Sequence, residues 1–130
     1  MAFTHTTPQV IERMKTVTRR TGWRTLRPGD LVQAVEKVRG LKKGERVQPL
    51  AVLRVVSLRV EPLSRLLADP LYAEDELPRE GFPCWSSREF VEMFCRANRL
   101  KNADVPVTRI EFEYVDPAAG ATGRGRAPAS

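Results

Sequence analysis

The sequence predicts a small α+β domain built around a curved, barrel-like sheet with flanking helices. Three observations carry that prediction. Runs with the two-residue period of strands recur at 30–38, 47–61 and 107–115, rich in Val, Leu and Ile. Segments with helical spacing stand before and between them, at 8–13 and 86–98. Finally, 130 residues, 42% hydrophobic and 29% charged, can bury one core but not two.

The first helix is expected from Thr7 as N-cap, Pro8 at the first helical position, and Val10, Ile11 and Met14 at helical spacing. Met14 to Arg20 then packs Lys15, Thr16, Thr18, Arg19 and Arg20 into seven residues, and reads as a basic loop. From Arg13 to Arg27 there are six cations and no acid, so this stretch forms a local electropositive patch suited to phosphate. A weaker basic cluster, Lys37 to Arg46, is expected at a hairpin tip. Arg27-Pro28-Gly29-Asp30 signals a turn into the first strand.

The second strand runs from Val47 to Glu61. Its doubled Val55-Val56 breaks the alternation in the way a bulge allows. Pro62 ends it, and Leu63 to Leu67 is read as a helical turn. Residues 69–77 are read as an acidic, partly helical connection, and 79–85 as a loop holding Glu80, Phe82 and Trp85. Ser86-Ser87-Arg88-Glu89 has the spacing of a capping box, in which Ser86 bonds the third helical N–H and Glu89 reaches back. The helix that follows carries Phe90, Val91, Phe94 and Cys95 on its apolar side. The last strand sets Thr108, Ile110, Phe112 and Tyr114 against Val107, Arg109, Glu111, Glu113 and Val115. Pro117 to Ser130 holds nothing from which to build a core, so the domain is placed at 1–116 and 117–130 is expected to be a disordered tail.

Several function classes lack support. One histidine, His5, and two cysteines, Cys84 and Cys95, make no zinc pattern, so neither a metal nor another cofactor is expected. Both thiols are read as buried. No apolar run approaches the length of a membrane span, and the first residues lack the pattern of a secretion signal, so a cytoplasmic protein is expected. Net charge is +6, which favours a polyanionic partner.

Taken in order, the residues show a further pattern. A short helix precedes Lys15-Thr16-x-Thr18-x-Arg20; Pro28-Gly29-Asp30 leads into a strand; Glu80-Gly81-Phe82 comes before a capped helix carrying Glu89-Phe90. This arrangement resembles the ASCH domain (activating signal cointegrator homology) over residues 7–116. The resemblance implies a PUA-like β-barrel, a fold associated with RNA and modified nucleosides. Some members hydrolyse the amide of N4-acetylcytidine with a Lys, a Thr and a Glu; others are ribonucleases or RNA-binding modules. Carried over by position, the catalytic residues would be Lys15, Thr18 and Glu80. Met14 stands where small amidohydrolases have Arg or Gly, and the chain is longer than those members at 41–46 and 63–77.

The chemistry is consistent with those residue types. A threonine hydroxyl becomes a nucleophile once a base takes its proton, and a neutral lysine can do so. Neighbouring Arg19 and Arg20, with burial, favour the neutral amine. Glu80 can orient or protonate the leaving amine. Thr16, Arg19, Arg20, Trp23 and Arg24 are expected to contact the nucleoside or a single-stranded RNA, the Arg side chains through phosphate and Trp23 through base stacking. The alternative is RNA binding, with or without metal-independent cleavage, which tolerates loss of Thr18. A bland reading also stands: Thr18 bonding local backbone and Glu80 pairing a cation, with no chemistry.

Overall fold

In the computed structural model, which describes residues 1–36 and 49–116, the chain forms four strands and four helices. Helix α1 (Thr7–Ile11) is followed by β1 (Val17–Arg20), β2 (Leu31–Val35) and β3 (Pro49–Pro62). Helices α2 (Arg65–Ala68), α3 (Pro70–Glu80) and α4 (Ser87–Ala97) come next, and β4 (Pro106–Val115) ends the described chain. All neighbouring strands are antiparallel, in the order β1-β4-β3-β2, and the sheet curls into a half-barrel. Among the described residues no helix is long and apolar enough to cross a membrane.

The α+β expectation holds, and several local signals act as read. Register slips between Val55 and Ser57, which leaves Val56 unpaired and exposed at the doubled valine. Ser86 and Glu89 form the full capping box, with the Glu89 amide 3.1 Å from Ser86 Oγ and the Ser86 amide 2.8 Å from Glu89 Oε1. The α4 face buries Phe90, Val91 and Phe94 against Leu63, Leu66 and Leu77. A second group, Phe3, Val10, Ala34, Leu53 and Phe112, fills the space between the sheet and the N-terminal segment.

Other expectations are corrected. The basic stretch after α1 is not all loop. Val17 to Arg20 pair with Glu111 to Thr108 as an edge strand, because the partner β4 supplies the ladder that this short Arg-rich segment does not advertise. Residues 70–80 are one continuous helix, so Glu80 is its final residue rather than a loop residue. The N-cap of α1 is Thr6; Thr7 instead donates from its hydroxyl to the Phe3 carbonyl. The N-terminal half of β4 is buried on both faces, Arg109 included, since helices cover the face that carries Val107 and Arg109. Cys84 is exposed and Cys95 only half-buried. The basic cluster at 37–46 and the tail at 117–130 lie outside the described residues.

Candidate functional site

Two tight backbone arrangements position the site. Before β1, the Thr16 amide donates to the Arg79 carbonyl at 2.8 Å, and the Phe112 amide donates to the Thr16 carbonyl at 2.9 Å. Tyr114 Oη donates to the Lys15 carbonyl at 2.6 Å. These bonds fix Lys15 between the end of α3 and the sheet. On the other side, α3 stops at a left-handed glycine: Gly81 has φ 97°, its amide meets the Pro78 carbonyl, and the Phe82 amide meets the Leu77 carbonyl. This Schellman ending is the physical reason for the Glu80-Gly81-Phe82 sequence. It sets Glu80 at the last helical position, facing Lys15.

Lys15 and Glu80 are both buried. Lys15 Nζ donates to Glu80 Oε1 at 2.9 Å and to the Glu80 backbone carbonyl at 2.5 Å. The second carboxylate oxygen, Glu80 Oε2, accepts from Arg19 Nη1 at 2.8 Å. Burial is the main influence lowering the Lys15 pKa below its ordinary 10.5; Glu80 opposes that, while the charges of Arg20 and Arg19 reinforce it. Thr18 Oγ1 accepts from Arg20 Nε at 3.1 Å, and among the described residues its own hydroxyl proton has no acceptor. The Arg20 guanidinium lies over Phe3, 4.7 Å from the ring centroid.

These groups open onto a cavity of about 240 Å³. Lys15, Thr18, Arg19, Arg20 and Glu80 line it, together with Phe3, Phe82, Phe90 and Phe94. The pocket is thus lined by both charged and aromatic side chains, a combination that suits a flat, polar heterocycle.

Not every predicted residue reaches it. Thr16 is half-buried and contributes backbone bonds rather than a cavity wall. Trp23 and Arg24 are exposed and do not line the cavity; Trp23 has a left-handed φ of 65°. Arg19 lines the cavity, but both of its Nη groups are taken up by protein, contrary to the expectation of a free phosphate ligand, and its buried Nε has no hydrogen-bond partner among the described residues. Its Nη2 donates to Glu76 Oε1 at 2.6 Å, to Tyr72 Oη at 2.9 Å and to Glu61 Oε2 at 3.1 Å, besides the Nη1 bond to Glu80. Burial disfavours its charge, but Glu80 and Glu76 outweigh burial and raise its pKa. Trp85 packs on Phe82 with ring centroids 4.6 Å apart and does not line the cavity.

Sequence reasoning missed two contributors. The N-terminal segment from Ala2 to Thr6 forms one wall, and only the isolated Phe3 hinted at it. The second is the carboxylate chain behind the pocket: Arg109 Nε and Nη2 clasp Glu76 at 2.6 and 2.8 Å, and Glu76 in turn holds Arg19. An acid within a helix and an Arg within an alternating strand give no local signal of burial.

A scan of protein-family models finds no match, and a search of curated proteins finds none either. Solved structures do match. One is a crystal structure of a protein from Enterococcus faecalis assigned to the DUF984 family, with TM-score 0.57 and 18% identity over 85% of this chain and 69% of that one. Another is the high-resolution crystal structure of an ASCH domain from Lactobacillus crispatus, with TM-score 0.51 and 13% identity over 84% and 69%. At such identities the likeness speaks to architecture, and on that ground the chain has the fold of the ASCH domain, a PUA-like α+β half-barrel.

Proposed function

We propose that the cavity binds a modified nucleoside and hydrolyses an amide on its base, N4-acetylcytidine being the test substrate. The observation that carries this reading is a buried lysine, lowered in pKa, that lines one small cavity with a threonine hydroxyl whose proton is uncommitted. The ASCH-type fold supports a ligand related to RNA.

In this reading neutral Lys15 Nζ takes the Thr18 hydroxyl proton as Thr18 Oγ1 bonds to the acyl carbon. The carbonyl oxygen becomes an oxyanion beside the Arg20 guanidinium. Lys15 then returns its proton to the base nitrogen as the C–N bond breaks, leaving an ester on Thr18 and the free amine. A water, losing its proton to Lys15, attacks the ester; the C–O bond to Thr18 breaks, the hydroxyl regains its proton, and the acid leaves. Glu80, held on both oxygens by Lys15 and Arg19, steadies the Lys15 ammonium during each transfer.

The test is release of acetate and cytidine from N4-acetylcytidine. Thr18→Val is expected to abolish turnover, and Lys15→Met to reduce kcat about 10²- to 10⁴-fold. Both variants need a circular dichroism check of folding. A folded wild type with no turnover overturns the reading. RNA binding without hydrolysis then takes its place, favoured by the exposed Trp23, Arg24 and Arg27 in the segment between β1 and β2.

A further inference from the structure

The buried charges behind the pocket balance among themselves. Lys15, Arg19 and Arg109 are buried cations; Glu61, Glu76 and Glu80 are the buried carboxylates they meet. Each oxygen of Glu80 and Glu76 is taken up within that network. Arg20 stands outside it. It lines the cavity, half-buried, and among the described residues no carboxylate lies within ion-pair distance of it.

Its surroundings leave one part of it uncommitted. Phe3 lies against the guanidinium, and Nε is spent on Thr18 Oγ1. The Nη1 and Nη2 groups, two parallel donors in a rigid plane, have no acceptor among the described residues. Burial pushes its pKa down to about 10, with the distant charge of Glu80 opposing. Its charge also bears on the Met1 ammonium, whose pKa is lowered first by burial and then by Arg20. A partly desolvated guanidinium with a cation nearby and no carboxylate partner is poised to take an anion from outside the protein.

We infer that the cavity's ligand carries an oxyanion, a carboxylate or a phosphate monoester, that docks on the Nη1/Nη2 edge of Arg20. This deepens the reading above and rests on it for the rest of the ligand. Two sources supply such a group. A phosphate makes the substrate a nucleotide instead of a neutral nucleoside. A carboxylate is the product of the hydrolysis, and Thr18 Oγ1, where the acyl group is attached, is 3.1 Å from Arg20 Nε.

The experiment is calorimetric titration of the intact protein, at constant ionic strength, with cytidine, cytidine 5′-monophosphate, inorganic phosphate and acetate. It is repeated on Arg20→Gln and Arg20→Lys. If the phosphate is the source, the monophosphate binds about tenfold or more tightly than cytidine. Arg20→Gln then erases that difference and Arg20→Lys keeps part of it. If the carboxylate is the source, acetate binds the wild type, phosphate does not, and Arg20→Gln abolishes acetate binding. Equal affinity for cytidine and its monophosphate, with neither phosphate nor acetate bound by wild type, overturns the inference. So does anion binding that survives in a folded Arg20→Gln protein. No readout requires turnover. Anion binding through Arg20 without hydrolysis of N4-acetylcytidine leaves this inference standing and removes the amidohydrolase reading; hydrolysis without anion binding does the reverse.

Discussion

Lys15 has opposing influences on its proton, and their ranking can be measured. Burial and two guanidinium groups push its pKa below 10.5, and Glu80 pulls it back. If neutral Lys15 is the base, activity rises with pH as the ammonium loses its proton, along a limb centred below 10.5. Removing the negative charge that supports the ammonium shifts that limb further down. A pH profile of kcat/KM for residual Glu80→Gln activity is therefore expected to rise at lower pH than wild type; a limb that stays in place means Lys15 is not the titrating base. Much of this residue-scale arrangement was legible beforehand, because Lys15, Thr18 and Arg20 are neighbours in sequence, Thr18 and Arg20 on one short strand and Lys15 just before it. The role of Arg19 was not, since its partners Glu61, Glu76 and Tyr72 arrive from β3 and α3.

At the scale of elements, the end of α3 is the joint on which the site turns. Gly81 has φ 97°, and a Cβ there would stand 3.1 Å from Gln9 Cγ. Gly22 has open space around it and no such backbone. Gly81→Ala is expected to lower stability by about 1–2 kcal/mol. Gly22→Ala is expected to be neutral or to stabilise by a few tenths, about 0.4 kcal/mol or more. Urea unfolding of the two variants checks the contrast, and equal midpoints would remove the strain argument. Features written locally were the readable ones: the Ser86–Glu89 box, the Pro28-Gly29 turn and the Val55-Val56 bulge each depend on residues a few positions apart. Strand β1 was not readable, because four residues with two arginines become a strand only through β4. The last turn of α3 was hidden by Pro78, which signals a break in sequence yet sits inside the helix.

Across the whole molecule, the ion network joins β1, β3, α3 and β4 through Arg19, Glu61, Glu76 and Arg109. Burial raises the Glu76 pKa, but Arg109 and Arg19 outweigh it and hold the carboxyl at about 2, below the ordinary 4.5. A depressed acid stabilises the fold fully above 4.5, and that stability drains away as pH falls towards 2. The urea midpoint of wild type is expected to drop between pH 5 and 2.5, and Glu76→Gln to flatten that drop. At pH 7 the variant should be less stable by on the order of 3 kcal/mol, because Arg19 and Arg109 lose a shared charge. A pH profile identical to wild type would show that Glu76 is not the group being titrated.

The pairing of β1 with β4 joins the first of the described strands to the last of them, and the pocket lies where that joint, the N-terminal segment and α4 meet. No single segment owns the cavity, so any opening that separates the two ends of the fold also dissolves it. Occupancy is then linked to the most global opening of the chain, and a bound molecule should slow amide hydrogen exchange in the sheet as a whole, by the same factor at its most protected sites, rather than only beside the pocket.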